Sequence, residues 1–273
     1  MPELPEVETT RRGISPHLLG HTVTHMELRE RRMRWPVEDD VLRIIGQPIT
    51  RIRRRAKYLL ITCDAGTMIL HLGMSGSIRI CPHEMELKKH DHLVMQLDTG
   101  MELRLHDPRR FGAVLWHDKK DGDPENHPLL QHLGPEPLGQ DFNADYLIAS
   151  CQGRTTSIKQ HIMNGKVVVG VGNIYACEAL FRSGIHPTRA AGKISKPRLL
   201  KLTREIKDVL AEAIAQGGTT LRDFLQEDGN PGYFKQKLNV YDRAGEPCRR
   251  CGTVIKKMVI SNRSTYYCPK CQR

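Results

Sequence analysis

Gly122-Asp123-Pro124-Glu125-Asn126-His127-Pro128, followed closely by Gly134-Pro135-Glu136-Pro137-Leu138-Gly139, divides the chain. Both clusters lie in a polar stretch, residues 118 to 140, too rich in Pro and Gly for a continuous helix or a central strand. The hydrophobic period differs on its two sides. Upstream it is close to two: Val23 to Leu28, Ile49 to Cys63, Thr67 to Leu72, Ser77 to Ile80, Leu93 to Leu97, Met101 to Leu105 and Ala113 to Trp116 read as short strands, with Ile49 to Cys63 as two strands or one bent one. Asp64-Ala65-Gly66 and Asp98-Thr99-Gly100 are hairpin turns among them. Short strands at this spacing predict an antiparallel β-sandwich.

Downstream the period is helical. Asn143 caps a helix from Ala144 to about Ser150. A second helix is expected over Thr155 to Met163. A third covers Asn173 to Ser183 and stops at Gly184, and a fourth runs from a Ser195 cap to about Gln216. Val167-Val168-Val169-Gly170-Val171-Gly172 joins the second and third in a helix-turn-helix-like arrangement, with a connection too long for one tight turn. The expected fold is α+β in two domains: an N-terminal antiparallel β-sandwich preceded by a helix, then a helical domain ending in a β-hairpin zinc finger. The expected boundaries are 1–131, 132–240 and 241–273. There is no internal repeat.

The 273 residues carry a formal charge of +11 and a pI near 9.4, which points to nucleic acid as the polyanionic partner. Hydrophobic residues make up 39%, and no apolar run approaches the ~20 residues of a membrane span. The N-terminus does not read as a signal peptide, so a cytoplasmic location and no membrane partner are expected. Cys63, Cys81, Cys151 and Cys177 stand in apolar company and read as packing residues in a reducing compartment. The other four cysteines form Cys248-x2-Cys251 and Cys268-x2-Cys271 with sixteen residues between the pairs, the spacing of a four-cysteine zinc site. Four thiolates fill a tetrahedral ion and leave no position for water, so the zinc is structural; no organic cofactor is expected. Strands over Thr253 to Ile260 and Ser264 to Tyr267 would place Asn262-Arg263 at the hairpin turn.

The N-terminus carries chemistry of its own. It reads Met1-Pro2-Glu3-Leu4-Pro5-Glu6, and a small second residue such as Pro2 favours removal of Met1. The exposed secondary amine would have a reference pKa near ~8, low enough to act as a nucleophile at neutral pH. Its Schiff base is an iminium that stays cationic, which favours β-elimination from a sugar. Pro5 suits a first helical turn, and Glu3 and Glu6 would lie on one side of a helix running to about Gly13. Acids there also complement the helix dipole. Elsewhere, Arg53, Arg54, Arg55 and Lys57 cluster on or beside a strand. Two tight loops carry Met74 and the pair Arg109 and Phe111, side chains able to wedge between bases and fill the place of an extruded nucleotide.

Together, Met1-Pro2-Glu3-Leu4-Pro5-Glu6-Val7-Glu8-Thr9, His71-Leu72-Gly73-Met74-Ser75-Gly76, Asp107-Pro108-Arg109-Arg110-Phe111-Gly112, Gly170-Val171-Gly172-Asn173-Ile174-Tyr175 and the four-cysteine finger resemble the bacterial formamidopyrimidine-DNA glycosylases. The resemblance spans essentially the whole chain. It implies a monomeric repair enzyme for damaged duplex DNA that excises oxidised purines and cleaves the resulting abasic site, in bacterial cytoplasm and on the nucleoid. Pro2 would be the nucleophile, Glu3 the acid/base and Glu6 a support. Lys57 would donate a proton in β-elimination or hold a phosphate, and Arg263 would do the same in δ-elimination. His71, Asn173 and Arg263 would clamp phosphates. Met74, Arg109 and Phe111 would form the wedge, and His90, Arg154 and Lys159 would make further DNA contacts. The family's damaged-base loop falls at Gly217 to Gln236. Competing readings are an endonuclease VIII-like enzyme for oxidised pyrimidines, a non-catalytic zinc-ribbon DNA-binding protein and an RNA-binding zinc protein of translation. Leu4 and the Met74/Arg109/Phe111 set favour the purine enzyme.

Overall fold

The computed structural model describes residues 2–217 and 238–273. The chain divides into two compact units between Gln131 and His132. The first opens with α1 (Leu4–Leu18). Eight strands follow: β1 (Val23–Leu28), β2 (Arg51–Arg55), β3 (Tyr58–Cys63), β4 (Gly66–His71), β5 (Ser77–Pro82), β6 (Asp91–Leu97), β7 (Met101–His106) and β8 (Ala113–Asp118). They form two four-stranded sheets in the orders β1-β6-β7-β5 and β2-β3-β4-β8. Every neighbouring pair is antiparallel. Met26, Ile61, Met68, Leu70, Ile78, Met95, Leu103 and Leu105 meet in one core, joined by Val7, Ile14 and Leu18 of α1. Full burial of a side chain of this kind contributes about 1.5–3 kcal/mol, which is why these apolar strands, most of them buried on both faces, close into a sandwich.

Two local expectations need correction. The helix does not stop near Gly13. It runs through Gly13 and Pro16 to Leu18, because Ile14 and Leu18 are fully buried and packing outweighs the weak helix propensity of one glycine. The segment Ile49 to Cys63 is two strands, split at Ala56, whose φ of 54° no strand residue adopts. Arg54 Nη1 donates to Ala56 O at 2.9 Å and fixes that turn.

The second unit contains α2 (Ala144–Cys151), α3 (Ile158–Ile162), α4 (Asn173–Ser183), α5 (Lys196–Gly217), and a hairpin of β9 (Lys256–Ile260) and β10 (Arg263–Tyr267). Asn143 caps α2 by accepting from Tyr146 N at 3.0 Å. Gly184, with φ 75°, closes α4. The expected start of α3 at Thr155 is displaced to a Ser157 cap. The preceding residues bond across to another segment instead: Gly192 N donates to Arg154 O and Ala191 N to Thr156 O, each at 2.9 Å. A helical core gathers Phe142, Leu147, Ile162, Tyr175, Leu180, Leu202, Ile206 and Leu210. A smaller core joins Cys177 and Phe181 of α4 to Val240, Cys248, Ile255, Tyr266 and Cys268. Beside it, the buried carboxylate of Glu178 accepts the backbone N–H groups of Asn239, Val240 and Tyr241 at 2.9–3.0 Å. One side chain of α4 thereby anchors the strand of chain that leads into the finger.

The turn after β4 shows how tightly the loops of the first unit are packed. Gly73 has φ +63°, and a Cβ there would lie 2.4 Å from Phe111 C and 2.5 Å from Gly112 N. Gly73→Ala is expected to cost about 2–4 kcal/mol of unfolding free energy in a denaturant titration. A loss below about 0.5 kcal/mol, the size of an ordinary surface change, would show that the two loops do not touch this closely.

Candidate functional site

The head of α1 is built around two carboxylates. Glu3 is the N-cap rather than a first-turn residue, and it forms a capping box with Glu6 at N3. Glu3 N–H donates to Glu6 Oε2 at 2.8 Å. Pro2 and Glu3 are both buried, Glu3 to 1% exposure, so residue 2 and a carboxyl group lie side by side away from bulk water. Glu8, one turn on, accepts from Arg11 Nη2 at 2.8 Å, Arg12 Nε at 2.9 Å and Arg54 Nε at 3.3 Å. Since Arg54 also holds Ala56 O, the linkage runs from α1 to the turn that presents Lys57, which is half-buried.

The same end of sheet β2-β3-β4-β8 carries the loop residues. His71 ends β4 opposite Tyr58 and Ala113. Its Nδ1 accepts from Gly73 N at 3.0 Å, which leaves the hydrogen of the neutral ring on Nε2. Burial, aided by the positive charges of Arg34 and Lys57, lowers its pKa to about 4, so this donor is uncharged at neutral pH. Met74 and Phe111 are 42% and 45% exposed, unusual for such side chains, and the Arg109 guanidinium lies 4.8 Å from the centre of the Phe111 ring. Asp107, fully buried, accepts from Ser75 Oγ at 2.8 Å, Gly112 N at 2.8 Å and Arg109 N at 3.3 Å. It ties the Met74 loop to the Arg109–Phe111 loop. His90 lies half-buried ahead of β6.

In the second unit Arg154 is exposed, with Nε 3.4 Å from Ser150 O. Lys159, expected among the residues facing DNA, is 1% exposed. Its ammonium donates to Asn173 Oδ1 at 2.5 Å and Thr265 Oγ1 at 2.6 Å. Asn173 Nδ2 donates in turn to Ser264 O at 2.8 Å. Lys159 is therefore an internal tie that orients Asn173 and docks β10 on α4. Arg263 is exposed, but it is the first residue of β10, paired with Ile260; the hairpin turn is made by Ser261 and Asn262, with φ 47° and 59°.

The finger sulfurs converge. Cys248, Cys251, Cys268 and Cys271 place their Sγ atoms within 4.8 Å of one another, with 3.5 Å between Cys251 and Cys268 and 3.9 Å between Cys248 and Cys271. A tetrahedral ion with Zn–S bonds of about 2.3 Å requires edges of about 3.8 Å, so the donor set fits one structural zinc. Arg250 N and Cys271 N each donate to a cysteine sulfur at 3.4 Å, giving the thiolates their outer hydrogen bonds.

Reading residues alone left Asp107, Glu8 and Glu178 without roles. An Asp before Pro in a loop is the signature of a side chain that caps its own turn, and could have singled out Asp107. Nothing local marks Glu178. From residue 218 onward the loop Gly217 to Gln236 lies outside the described residues.

A sandwich headed by a capped Pro-Glu, a helical module and a four-cysteine hairpin that fits one structural zinc make up the described chain. Family profiles described as "Formamidopyrimidine-DNA glycosylase N-terminal domain", "Formamidopyrimidine-DNA glycosylase H2TH domain" and "Zinc finger found in FPG and IleRS" match residues 1–114, 133–225 and 245–273. The chain is 60% identical over 274 residues to the formamidopyrimidine-DNA glycosylase of Thioalkalivibrio sulfidiphilus, and 54% identical over 273 to that of Escherichia coli O6:H1, covering 100% of each chain in both cases. It is similar to the Lactococcus lactis Fpg solved in complex with an abasic site containing DNA (TM-score 0.89, 32% identity, 100% of both chains). It is also similar to the MutM (Fpg) protein of Thermus thermophilus (TM-score 0.85, 38% identity, 99% of this chain and 98% of that one). The chain belongs to the formamidopyrimidine-DNA glycosylase family.

Two outcomes follow from this geometry. Lys159→Met should leave Asn173 and Thr265 without their buried donor and lower stability by about 2–4 kcal/mol, read by denaturation, with earlier zinc release to a chelator. Because the folded pKa of His71 lies below its unfolded value of about 6.5, its neutral state adds stability that is complete above that value and lost as pH falls toward about 4. The stability difference between wild type and His71→Gln should therefore shrink by roughly 3 kcal/mol between about pH 7 and about pH 4.

Proposed function

We infer that this chain is a bifunctional enzyme of DNA base-excision repair, which removes oxidised purines such as 8-oxoguanine and formamidopyrimidines from duplex DNA and then cleaves the abasic strand. The observation that carries the reading is the buried Pro2 beside the buried, capped Glu3 at the head of α1. Once Met1 is removed, the Pro2 nitrogen attacks C1′ and displaces the base. Glu3 protonates the sugar oxygen as the ring opens, and the iminium holds a positive charge that no neutral imine would keep. Loss of the 3′ and then the 5′ phosphate breaks the strand on both sides. Glu6 restrains the Glu3 backbone. Lys57 and Arg263 serve these eliminations as proton donors or phosphate clamps.

Flipping a nucleotide costs a few kcal/mol, offset by what replaces it in the stack. Met74 and Phe111 supply exposed apolar surface for that purpose, and Arg109 offers hydrogen-bond donors to the base left unpaired. His71 contributes an uncharged N–H to a phosphate, and Asn173 a donor whose orientation Lys159 sets. Arg154 and His90 add backbone contacts. The four-sulfur zinc has no open position and takes no part in the chemistry. We assign the activity to three segments, 1–131, 132–240 and 241–273, acting as a monomer on nucleoid DNA in the bacterial cytoplasm.

Borohydride reduction during incubation with an 8-oxoguanine duplex tests the covalent step. Wild type should form a trapped protein–DNA adduct on the residue-2 nitrogen, located by mass spectrometry of the digested adduct, and Pro2→Gly should trap at least about tenfold less. Equal trapping by the two proteins, or an adduct on another side chain, would remove Pro2 as nucleophile. Preferential trapping on a thymine glycol duplex would instead favour the oxidised-pyrimidine reading.

A further inference from the structure

Three histidines meet at the foot of the Arg109–Phe111 loop. Asp91, fully buried at the start of β6, accepts from His106 Nδ1 at 2.9 Å, from Lys88 N at 2.9 Å and from Arg79. A carboxylate only accepts, so the His106 hydrogen sits on Nδ1. Its Nε2 makes no hydrogen bond among the described residues, and the side chain is 26% exposed. The His90 ring centre is 5.9 Å from those of His106 and His92, nearly perpendicular to each. His92 is committed elsewhere, with Nε2 2.8 Å from Asp107 O.

We propose that His106 and His90 form a phosphate-binding site, beside the loop that enters the duplex, which takes up a proton when DNA binds. The proposal rests on the DNA-repair reading above. A neutral His106 would turn a lone pair toward solvent, and a phosphodiester oxygen is also only an acceptor. The two can bond once Nε2 carries a proton, while Asp91 holds the ring by its opposite nitrogen. His90 stands among cations: partial burial, then the charges of His106, Lys89, His92 and Arg110, lower its pKa. A phosphate would supply the missing negative charge and relieve this repulsion.

The surrounding charges do not provide the same response. Arg79 is spent on Asp91, Arg29 Nη1 on the carbonyls of Lys88 and Asp91, and Arg110 Nη1 is shared with Glu30. His71 stays uncharged near neutral pH because its pKa is about 4. DNA affinity should therefore fall as pH rises through the ordinary histidine range.

The test is a fluorescence-anisotropy titration of a duplex carrying an uncleavable tetrahydrofuran abasic analogue, at constant ionic strength, between about pH 6 and about pH 8. Wild type should weaken about tenfold across that range, the effect of a single proton whose pKa rises by about one unit on binding. His106→Gln, which can still donate to Asp91, should weaken by less than about threefold over the same range. His106→Arg, a permanent cation, should bind tightly with a flat profile, and decides the matter should the glutamine variant fold poorly. A wild-type profile that is flat, or one that His106→Gln or His106→Arg reproduces in full, overturns the inference while leaving the repair function standing. Failure of wild type to bind the duplex at any pH overturns both.

Discussion

The buried carboxylate of Asp107 is the constraint on which the exposed part of the first unit depends. A charge with no exposure persists only when it is fully hydrogen-bonded, and Asp107 finds its partners in two different loops, at Ser75 on one side and at Arg109 and Gly112 on the other. This arrangement lets Met74 and Phe111 remain largely exposed without collapsing onto the sandwich. Apolar side chains displayed on ordinary loops would spend their time on the nearest hydrophobic surface. Here the backbone beneath them is tied down, with Gly73 so close to Phe111 and Gly112 that a methyl group cannot enter.

The second unit solves an equivalent problem with a cation. Lys159 carries its charge into the interior and distributes it over Asn173, Thr265 and the Ser264 carbonyl. Asn173 is thereby fixed with its oxygen inward, so its amide can act only as a donor to whatever lies outside. Glu178, on the same helix, fastens the chain ahead of the finger through three consecutive backbone N–H groups. A carboxylate and an ammonium, one helical stretch apart, hold the two ends of one small hairpin module.

Much of this was readable from residue order, and the exceptions share a cause. The sandwich was legible from short apolar runs separated by turns such as Asp98-Thr99-Gly100, although β4, β5, β6 and β7 are buried on both faces along most of their length and do not alternate. The finger was legible because thiolate spacing is dictated by the metal. The continuation of α1 past Gly13 and Pro16 was not, since it depends on Ile14 and Leu18 meeting a core assembled from distant strands. The late start of α3 depends on residues 190–192, and the burial of Lys159 on Ser264 and Thr265, more than a hundred positions further along. A lysine in a basic chain reads as surface until its long-range partners are known. The placement of Arg263 at the head of β10 shows the same limit on a scale of one residue: Ser261 and Asn262 take the left-handed turn, and the arginine becomes part of the ladder.

The small core beneath the finger has a wider consequence. Cys248 and Cys268 pack against Cys177 and Phe181, so the sulfur ligands and the underside of α4 share one hydrophobic cluster. Thiolates are the most oxidisable groups in the chain, and an electrophile that captured one would eject the ion and loosen the helix that begins at Asn173. A catalyst for erasing oxidative damage to bases thus carries its own sensitivity to oxidants, placed in the sulfur-lined core under α4.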